Sequence, residues 1–327
     1  MKRRIAIMLS MFMVTSSLIF FHRLQAAEKY PAKPIIFIIP NEPGASADVV
    51  ARVLAKKFQD LLGRPIVVTN KPGAGSSIGN RELHDAKPDG YTIGISTVAI
   101  ATNKLQGLLP YDHRDYTILG TYQRHCPIVM ASTKTKRPFN TMQEVISFAK
   151  SNPDEVILAT GNKGQIWWIA AMAFLNATGL QVNLVPQAGS GASTAIQVAG
   201  GHADIGIGDI ASAKSQIVAG NIKVLAMLAS ERVPEYANVP TMKELGYDVA
   251  VYSTHLALGP PKMPKEITEK LLSVFKIAAN DPEFKAFVIQ NNGIPSYMLP
   301  DQTAKWFDDQ RTIFREIMGK AGILKEK

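Results

Sequence analysis

The first hydrophobic stretch after the N-terminal segment predicts a strand that leads through a short loop into a helix. Ile35–Ile39 is an unbroken apolar run, which is typical of a strand buried on both faces of a parallel sheet. Pro40 interrupts the run, and apolar residues then recur at helical spacing between residues 50 and 61. Ser46 is a favourable N-cap and Gly63 a favourable C′ residue, so we expect the helix to lie between them.

The same succession of strand, glycine-bearing loop and helix recurs along the chain. Further strands are predicted at 66–69, 91–97, 128–130, 156–160, 182–185, 205–209, 224–228 and 249–258. A helical tail is predicted at 265–279, 282–290 and 302–320, packed back on the first domain. This alternation predicts an α/β architecture with parallel sheets. Ligands of such sheets bind where strands end and helices begin, so we expect the glycine-bearing loops to converge on one cleft that favours an anion.

The N-terminal segment, residues 1–26, has the pattern of a signal peptide. Three basic residues precede an apolar run over residues 5–21, and small residues stand before Ala27. The run is short for a membrane span, and an uncleaved anchor is the alternative. We therefore expect export and a mature chain that begins at Ala27.

Length and composition indicate a soluble protein of two domains. The chain has 327 residues, of which 46% are hydrophobic and 19% charged. The leader carries four cations and no acids, so the formal charge of +9 falls to +5 in the mature chain. The basic residues are scattered, which argues against a nucleic-acid partner. Cys126 is the single cysteine, so we expect a buried thiol and no internal disulfide.

A serine-hydrolase site is the alternative that one motif raises. Residues 75–79 match G-x-S-x-G around Ser77, the pattern of a nucleophile elbow. That elbow places the serine directly after a strand, whereas here residues 71–74 intervene and no Asp and His partners are evident. The histidines show no metal-ligand spacing and the glycines do not match a dinucleotide fingerprint. We therefore predict no catalytic residue, no metal and no cofactor.

A series of short motifs resembles one protein family. The motifs are YPAKP at 30–34, PGASAD at 43–48, NKPGAG at 70–75, KPDGYT at 87–92, LPYD at 109–112 and VPT at 239–241. In this order they resemble the substrate-binding proteins of tripartite tricarboxylate transporters, the TctC/Bug family. The resemblance covers nearly the whole mature chain. It implies the periplasmic binding protein fold of type II, in which two α/β domains are joined by two crossovers and enclose a ligand cleft.

The resemblance also implies a function and a domain organisation. Domain 1 would comprise 27–125 plus 249–327, and domain 2 would comprise 126–248. The protein would be a periplasmic monomer that captures a small organic acid without breaking a bond, and delivers it to the two membrane subunits of a transporter. A sensory protein that binds a carboxylate is the alternative with the same fold.

Members of this family hold a ligand carboxylate through backbone amides, hydroxyls and bridging waters, and the resemblance assigns matching positions in this chain. They are Asn41, Pro43, Gly44, Ala45, Ser46, Ser96, Thr97, Thr160, Asn162, Gly164, Gln165, Trp168, Gln187, Ala188, Gly189, Ser190 and Asp209. Asp48 falls in the first helical turn, where we expect it to stabilise the helix rather than contact an anion.

Departures from the family pattern bear on the identity of the ligand. Asn41 stands where relatives often carry an aromatic residue, and Glu42 follows it. Trp168, or Trp167 if the correspondence is offset by one, stands where a histidine is frequent. These changes suggest that a flat or aromatic carboxylate leans on domain 2, unless both tryptophans are core residues. Glu42 would pair an amino group or deter a second carboxylate if it faces the cleft.

Overall fold

The computed structural model describes residues 30–187 and 191–326, which form two α/β bodies around two sheets. The predicted signal peptide and three predicted site residues, Ala188, Gly189 and Ser190, lie outside these residues. No helix in 30–187 or 191–326 is long and apolar enough to cross a bilayer.

The strands and helices alternate along most of the chain, as predicted. The strands are β1 (Ile35–Ile39), β2 (Ile66–Asn70), β3 (Thr92–Ser96), β4 (Thr117–His125), β5 (Pro127–Ser132), β6 (Ile157–Thr160), β7 (Asn183–Pro186), β8 (Ile205–Asp209), β9 (Ile222–Met227), β10 (Ser253–Gly259) and β11 (Ile294–Met298). The helices are α1 (Ser46–Leu62), α2 (Ser77–His84), α3 (Ala99–Leu105), α4 (Met142–Ser151), α5 (Ile166–Thr178), α6 (Gly191–Ala199), α7 (Ile210–Val218), α8 (Lys265–Asn280), α9 (Pro282–Gln290) and α10 (Pro300–Lys320).

Each sheet is mixed rather than purely parallel. The six-stranded sheet of domain 1 has the order β11-β4-β10-β3-β1-β2, and the five-stranded sheet of domain 2 has the order β7-β6-β8-β5-β9. In domain 1 the strand β1 is parallel to β2 and β3, while β10 is antiparallel to β3 and β4. In domain 2 the strand β6 is parallel to β7 and β8, while β5 is antiparallel to β8 and β9. The strands β5 and β10, through which the chain enters domain 2 and returns to domain 1, are antiparallel to both of their neighbours.

Two crossovers join the domains. The strand β4 ends at His125 and the chain runs through Cys126 directly into β5 of the other sheet. Cys126 is buried, as predicted. On the return, the Val251 N–H still donates to the Leu228 carbonyl at 3.0 Å, and β10 then enters the sheet of domain 1.

The first strand and helix form much as the hydrophobic pattern predicts. Phe37 packs in one core with residues of α1, and Ile38 packs in a second core on the opposite face of the sheet. The predicted cap at Gly63 is confirmed, because this residue is left-handed with φ 65° and its N–H bonds to the Gln59 carbonyl. The predicted N-cap at Ser46 is wrong: Ala45 occupies that position and Ser46 is the first helical residue.

The C-terminal helix α10 does more than pack on domain 1. It lies against β4 and α3 of domain 1, as predicted, and also against α5 of domain 2. Phe307 and Phe314 of α10 share one hydrophobic core with Trp168 and Ile169 of α5. The helix therefore connects the two domains through packed apolar side chains.

Candidate ligand-binding cleft

A cavity of ≈ 770 Å³ lies between the two domains. Domain 1 contributes the loop after β1, residues 73–76 and Thr97. Domain 2 contributes Asn162, Gln165, Trp167 and the beginnings of α6 and α7. The crossover strands contribute His125, Ser253 and His255. The volume suits a small organic molecule enclosed by both domains.

Several helices begin at this cavity. The first residues of α1, α3, α5 and α6 and the first turn of α7 are among those that line it. The first N–H groups of a helix have no acceptor within the helix, and the helix dipole adds partial positive charge there. The cavity is therefore surrounded by groups that favour an anion.

The two longest helices that begin at the cavity, α1 and α5, have no side-chain cap at their N-termini. Ala45 at the N-cap of α1 and Gln165 at the N-cap of α5 make no side-chain cap hydrogen bond. The start of α7 is different, because the Asp209 carboxylate accepts from the Ser212 N–H at 2.9 Å and from its hydroxyl at 2.8 Å. One helix end in each domain is thus able to donate N–H groups to a bound anion.

Asp48 holds the first loop in shape rather than facing the cavity. Its carboxylate accepts from the Gly44 N–H at 2.9 Å, from Asn70 Nδ2 at 2.7 Å and from Arg52 Nε at 3.0 Å. Burial raises the pKa of this carboxyl, but the hydrogen bonds from Arg52, Asn70 and Gly44 outweigh it and hold the pKa below its ordinary value. Asp48 is therefore ionised and fully engaged, which fits the predicted stabilising role.

The second loop of the cavity has an unusual backbone. Residues 73–76 all have positive φ, with values of 118°, 44°, 63° and 72°. Alanine and serine seldom adopt this conformation, so the loop is held by its surroundings. One such contact is the hydrogen bond of 2.9 Å from Asn103 Nδ2 to the Gly75 carbonyl. The loop places backbone atoms, rather than bulky side chains, against the cavity.

The charged groups that line the cavity are acidic. Among the described lining residues there is no Lys or Arg, while Glu42 and Asp209 are both present. The remaining titratable side chains there are His125 and His255, whose rings lie 5.2 Å apart between centroids. Both are almost completely buried. Burial lowers the pKa of each imidazole, and that of His255 lies well below the ordinary value.

The structure places the predicted site residues in two groups. Those that line the cavity are Asn41, Gly44, Ala45, Ser46, Thr97, Asn162, Gln165 and Asp209. Those that are described but do not line it are Pro43, Ser96, Thr160, Gly164, Trp168 and Gln187. Ser96 and Thr160 are fully buried at the ends of their strands, and the Gly164 carbonyl accepts a hydrogen bond from Gln106 Nε2 at 3.1 Å.

The two tryptophans have different surroundings. Trp168 is 2% exposed and lies in the hydrophobic core shared with α10, whereas Trp167 lines the cavity. Adjacent residues on a helix point about 100° apart, so only one of the two can face the cavity. In this structure it is Trp167, and the position assigned from the resemblance to Trp168 belongs to the core.

Sequence reasoning missed the loop at 73–76 and the two histidines as cavity residues. The loop carried a visible signal, because its glycines precede a helix as in the other loops. His125 and His255 carried none, because they meet only through the antiparallel pairing of β4 with β10. No cluster of metal-ligating side chains occurs within residues 30–187 and 191–326.

Similarity to known proteins identifies the family of this chain. A family model described as the tripartite tricarboxylate transporter family receptor, TctC, matches residues 50–323. Protein BugT of Bordetella pertussis is 33% identical over 307 residues, which cover 92% of this chain and 91% of BugT.

Two solved structures illustrate the likeness in fold. The periplasmic binding protein BugD is 26% identical, with a TM-score of 0.75 over 90% of this chain and 99% of BugD. A Rhodopseudomonas palustris protein with adipate has a TM-score of 0.80 at 22% identity, over 90% of this chain and 99% of that protein. The predicted fold is thereby confirmed. The chain belongs to the tripartite tricarboxylate transporter receptor family, TctC, and has the two-domain solute-binding fold of its members.

Proposed function

We propose that this protein binds a small organic carboxylate in the interdomain cleft and delivers it to a tripartite membrane transporter. The observation that carries this proposal is the pair of uncapped helix N-termini, of α1 and α5, that face one cavity from opposite domains. An anion between them receives N–H donors from both domains, so it favours the closed arrangement over an open one.

Neutral side chains of the cavity complete the recognition. Ser46 and Thr97 offer hydroxyl groups, and Asn162 and Gln165 offer amides, at the edges of the two helix ends. Each hydrogen bond to a charged group contributes about 1.5–3 kcal/mol. Binding of this kind positions an anion without a catalytic group, in keeping with the family's role as receptors.

Trp167 supplies the apolar part of the proposed recognition. Its indole lies on the side of domain 2, next to the start of α5, and gives a flat surface for an aliphatic chain or a ring. A relative in fold holds adipate, a diacid with an apolar middle, so the fold accommodates that shape. Glu42 at the opposite side works against highly charged acids such as citrate.

The cellular setting is part of the same proposal. Residues 1–26 direct export, and the mature chain acts in the periplasm as a monomer. Two membrane subunits would bind the closed state. The domain boundaries would lie at 125/126 and 248/249. A sensory role for the same cleft would differ only in the membrane partner.

A thermal-shift screen of the mature protein tests the proposal. The panel contains succinate, malate, adipate, benzoate, citrate and, for the amino-group alternative, aspartate. A ligand that binds only the folded state raises the unfolding midpoint, by a free energy of about 2.7 kcal/mol at a hundredfold excess over Kd. A flat or aliphatic acid that raises the midpoint supports the proposal, whereas a panel without any shift contradicts it.

A variant in the first helix end locates the bound acid. Ser46→Ala should weaken its binding by about 0.5–1.5 kcal/mol, since it removes one hydroxyl from the site. Ser147→Ala on the exposed side of α4 is the matched control, because it makes the same change away from the cleft. Equal affinities of the two variants and the wild type would place the ligand elsewhere.

A further inference from the structure

The cavity contains two buried histidines whose role the proposed function leaves open. His125 is the last residue of β4 and His255 lies in β10, so both sit on the strands that connect the domains. They are each 3% exposed and both line the cavity. Burial of two ionisable rings in a binding cleft is energetically costly. Such groups are found most often at functional sites, so the pair indicates a role in binding.

The surroundings of His125 include both domains. Its Nε2 lies 3.2 Å from the Ser46 hydroxyl, at the uncapped start of α1. The titratable groups that face it are His255 on β10 and the Asp209 carboxylate at the N-cap of α7. The Asn292 backbone also favours its charged form, although Nδ1 makes no hydrogen bond of normal geometry.

His255 is tied down in a different way. Its Nδ1 lies 2.8 Å from Gln123 Nε2, so that nitrogen is occupied by a neighbouring strand residue. Among the described residues no carboxylate acts on it electrostatically as Asp209 acts on His125. Of the two rings, His125 is therefore the one placed to respond to a charge that enters at Ser46.

The cavity lining lacks a permanent positive charge that could pair with a bound anion. The described lining holds the carboxyl groups of Glu42 and Asp209 and no Lys or Arg. An incoming carboxylate therefore adds a negative charge to a site that is already acidic. The imidazole of His125 is the group beside the α1 helix end that can become positive when it gains a proton.

We infer that His125 is the counter-charge for the bound anion and takes up one proton from solvent when a carboxylate enters the cleft. The inference rests on the proposed function, because it needs an anion at the α1 helix end. The proton comes from the bulk buffer and is bound by a ring nitrogen, and no other bond changes. The ligand is then held as an ion pair with a histidinium that is absent from the empty cleft.

The direction of the pH dependence follows from the two states of the ring. In the empty cleft burial lowers the pKa of His125, so the ring is neutral near pH 7. A carboxylate nearby raises that pKa. Affinity should therefore increase as the pH falls from the raised pKa toward the lowered one, by up to about tenfold per pH unit, the slope for a single proton. Outside that window the affinity should be flat.

Calorimetry of the mature wild-type protein tests the inference. The acid that gives the largest shift in the thermal screen is titrated at about pH 7 in two buffers, PIPES and imidazole, which differ in their heats of ionisation. We expect the observed enthalpies to show uptake of close to one proton per ligand. Uptake near zero would overturn the inference while leaving the proposed function intact, whereas a panel without any binding would overturn both.

Two variants assign the proton to a residue. His125→Asn should abolish the uptake and flatten the pH dependence. The control His202→Gln, at an exposed histidine in the turn after α6, should retain both. Uptake that persists in folded His125→Asn would overturn the assignment. If that variant does not fold, histidine NMR of the wild type decides instead: one ring should become an imidazolium upon addition of the acid, and unchanged histidine resonances would refute the inference.

Discussion

At the scale of single residues, Asp48 stabilises the loop that follows β1. Its carboxylate joins the Gly44 N–H, Asn70 and Arg52, and the side chain is only 3% exposed. Asp48→Asn replaces an ionised acceptor by an amide that cannot accept all three donors. We expect a loss of about 1.5–3 kcal/mol in the free energy of unfolding, measured by urea denaturation.

A matched variant and a pH series separate this effect from ordinary surface charge. Asp60→Asn on the same helix removes an exposed pair with Lys56 and should change stability by less than about 0.5 kcal/mol. The pKa of Asp48 is lowered in the folded state, so its contribution is present above the unfolded pKa of about 3.9 and is lost as the pH falls through the folded value. Equal losses in both variants would contradict the role given to Asp48.

Glu42 offers a second test at the same scale. It is exposed and lines the cavity on the side of domain 1. Glu42→Gln should strengthen the binding of a dicarboxylate roughly twofold to fivefold, since it removes a repulsive charge, and the gain should shrink at high salt. The same variant should weaken the binding of an amino acid ligand, whose amino group would lose its partner. Glu231→Gln, an exposed acid outside the cavity, serves as the control, and identical affinities of both variants would exclude a role for Glu42.

The residue roles that could be predicted are those set by local geometry. Asp48 belongs to a first helical turn, so a stabilising role could be predicted from the sequence, whereas its bond to Asn70 of β2 could not. The choice between Trp167 and Trp168 does not, because it depends on how α5 rotates when it packs against α10, more than a hundred residues later in the chain. The cavity position of His125 likewise depends on pairing between distant strands.

At the scale of elements, strands with a clear local hydrophobic pattern were predicted, and strands without one were missed. The pattern of β1 and α1 is local, and both were predicted. The strand β4 was missed because its sequence, TILGTYQRH, mixes polar and apolar residues without a clear period. It is nevertheless central in the sheet, where β10 and β11 flank it. The strand β11 contains Pro295, which argues against a strand unless it lies at an edge, as here.

The approach of α6 to α7 gives a prediction for an element. A Cβ at Gly191, the first residue of α6, would lie 2.9 Å from the Asp209 carboxylate and 3.0 Å from the Ser212 hydroxyl. Gly191→Ala should therefore move the start of α6 away from the capped end of α7. We expect ligand affinity to fall at least about tenfold, measured by calorimetry, because groups at this end of the cleft must be placed to within about 0.5 Å.

A second glycine to alanine change controls for helix propensity. Gly319 lies in α10, and a Cβ there would have its nearest neighbour at 4.0 Å. Gly319→Ala should be neutral or stabilising by up to about 1 kcal/mol and should leave binding unchanged. Improved stability of Gly191→Ala with unaltered affinity would show that the two helix ends have more room than their distances imply.

At the scale of the complete fold, few of the polar contacts within residues 30–187 and 191–326 span the cleft directly. Gln106, just after α3 in domain 1, donates from Nε2 to the Gly164 carbonyl of domain 2 at 3.1 Å. The same amide group lies 3.2 Å from the Thr102 carbonyl, which orients it. Gly164 has φ 80°, and a Cβ there would lie 2.5 Å from Gln106 Oε1. The loop before α5 thus accommodates the Gln106 side chain of the other domain.

Removal of this contact should change closure rather than folding. Gln106→Ala deletes one interdomain hydrogen bond, worth about 0.5–1.5 kcal/mol, from the closed state alone. The apparent affinity depends on the fraction of closed molecules, so Kd for the acid should rise roughly twofold to tenfold. The urea midpoint of the ligand-free protein should hardly move. Small-angle scattering should show a larger average radius of gyration in the free variant than in the wild type.

Gln143→Ala on the exposed face of α4 is the matched control and should alter neither Kd nor the radius of gyration. A Gln106→Ala protein that binds and scatters like the wild type would show that the packing of α10 against α5 is sufficient to hold the cleft closed.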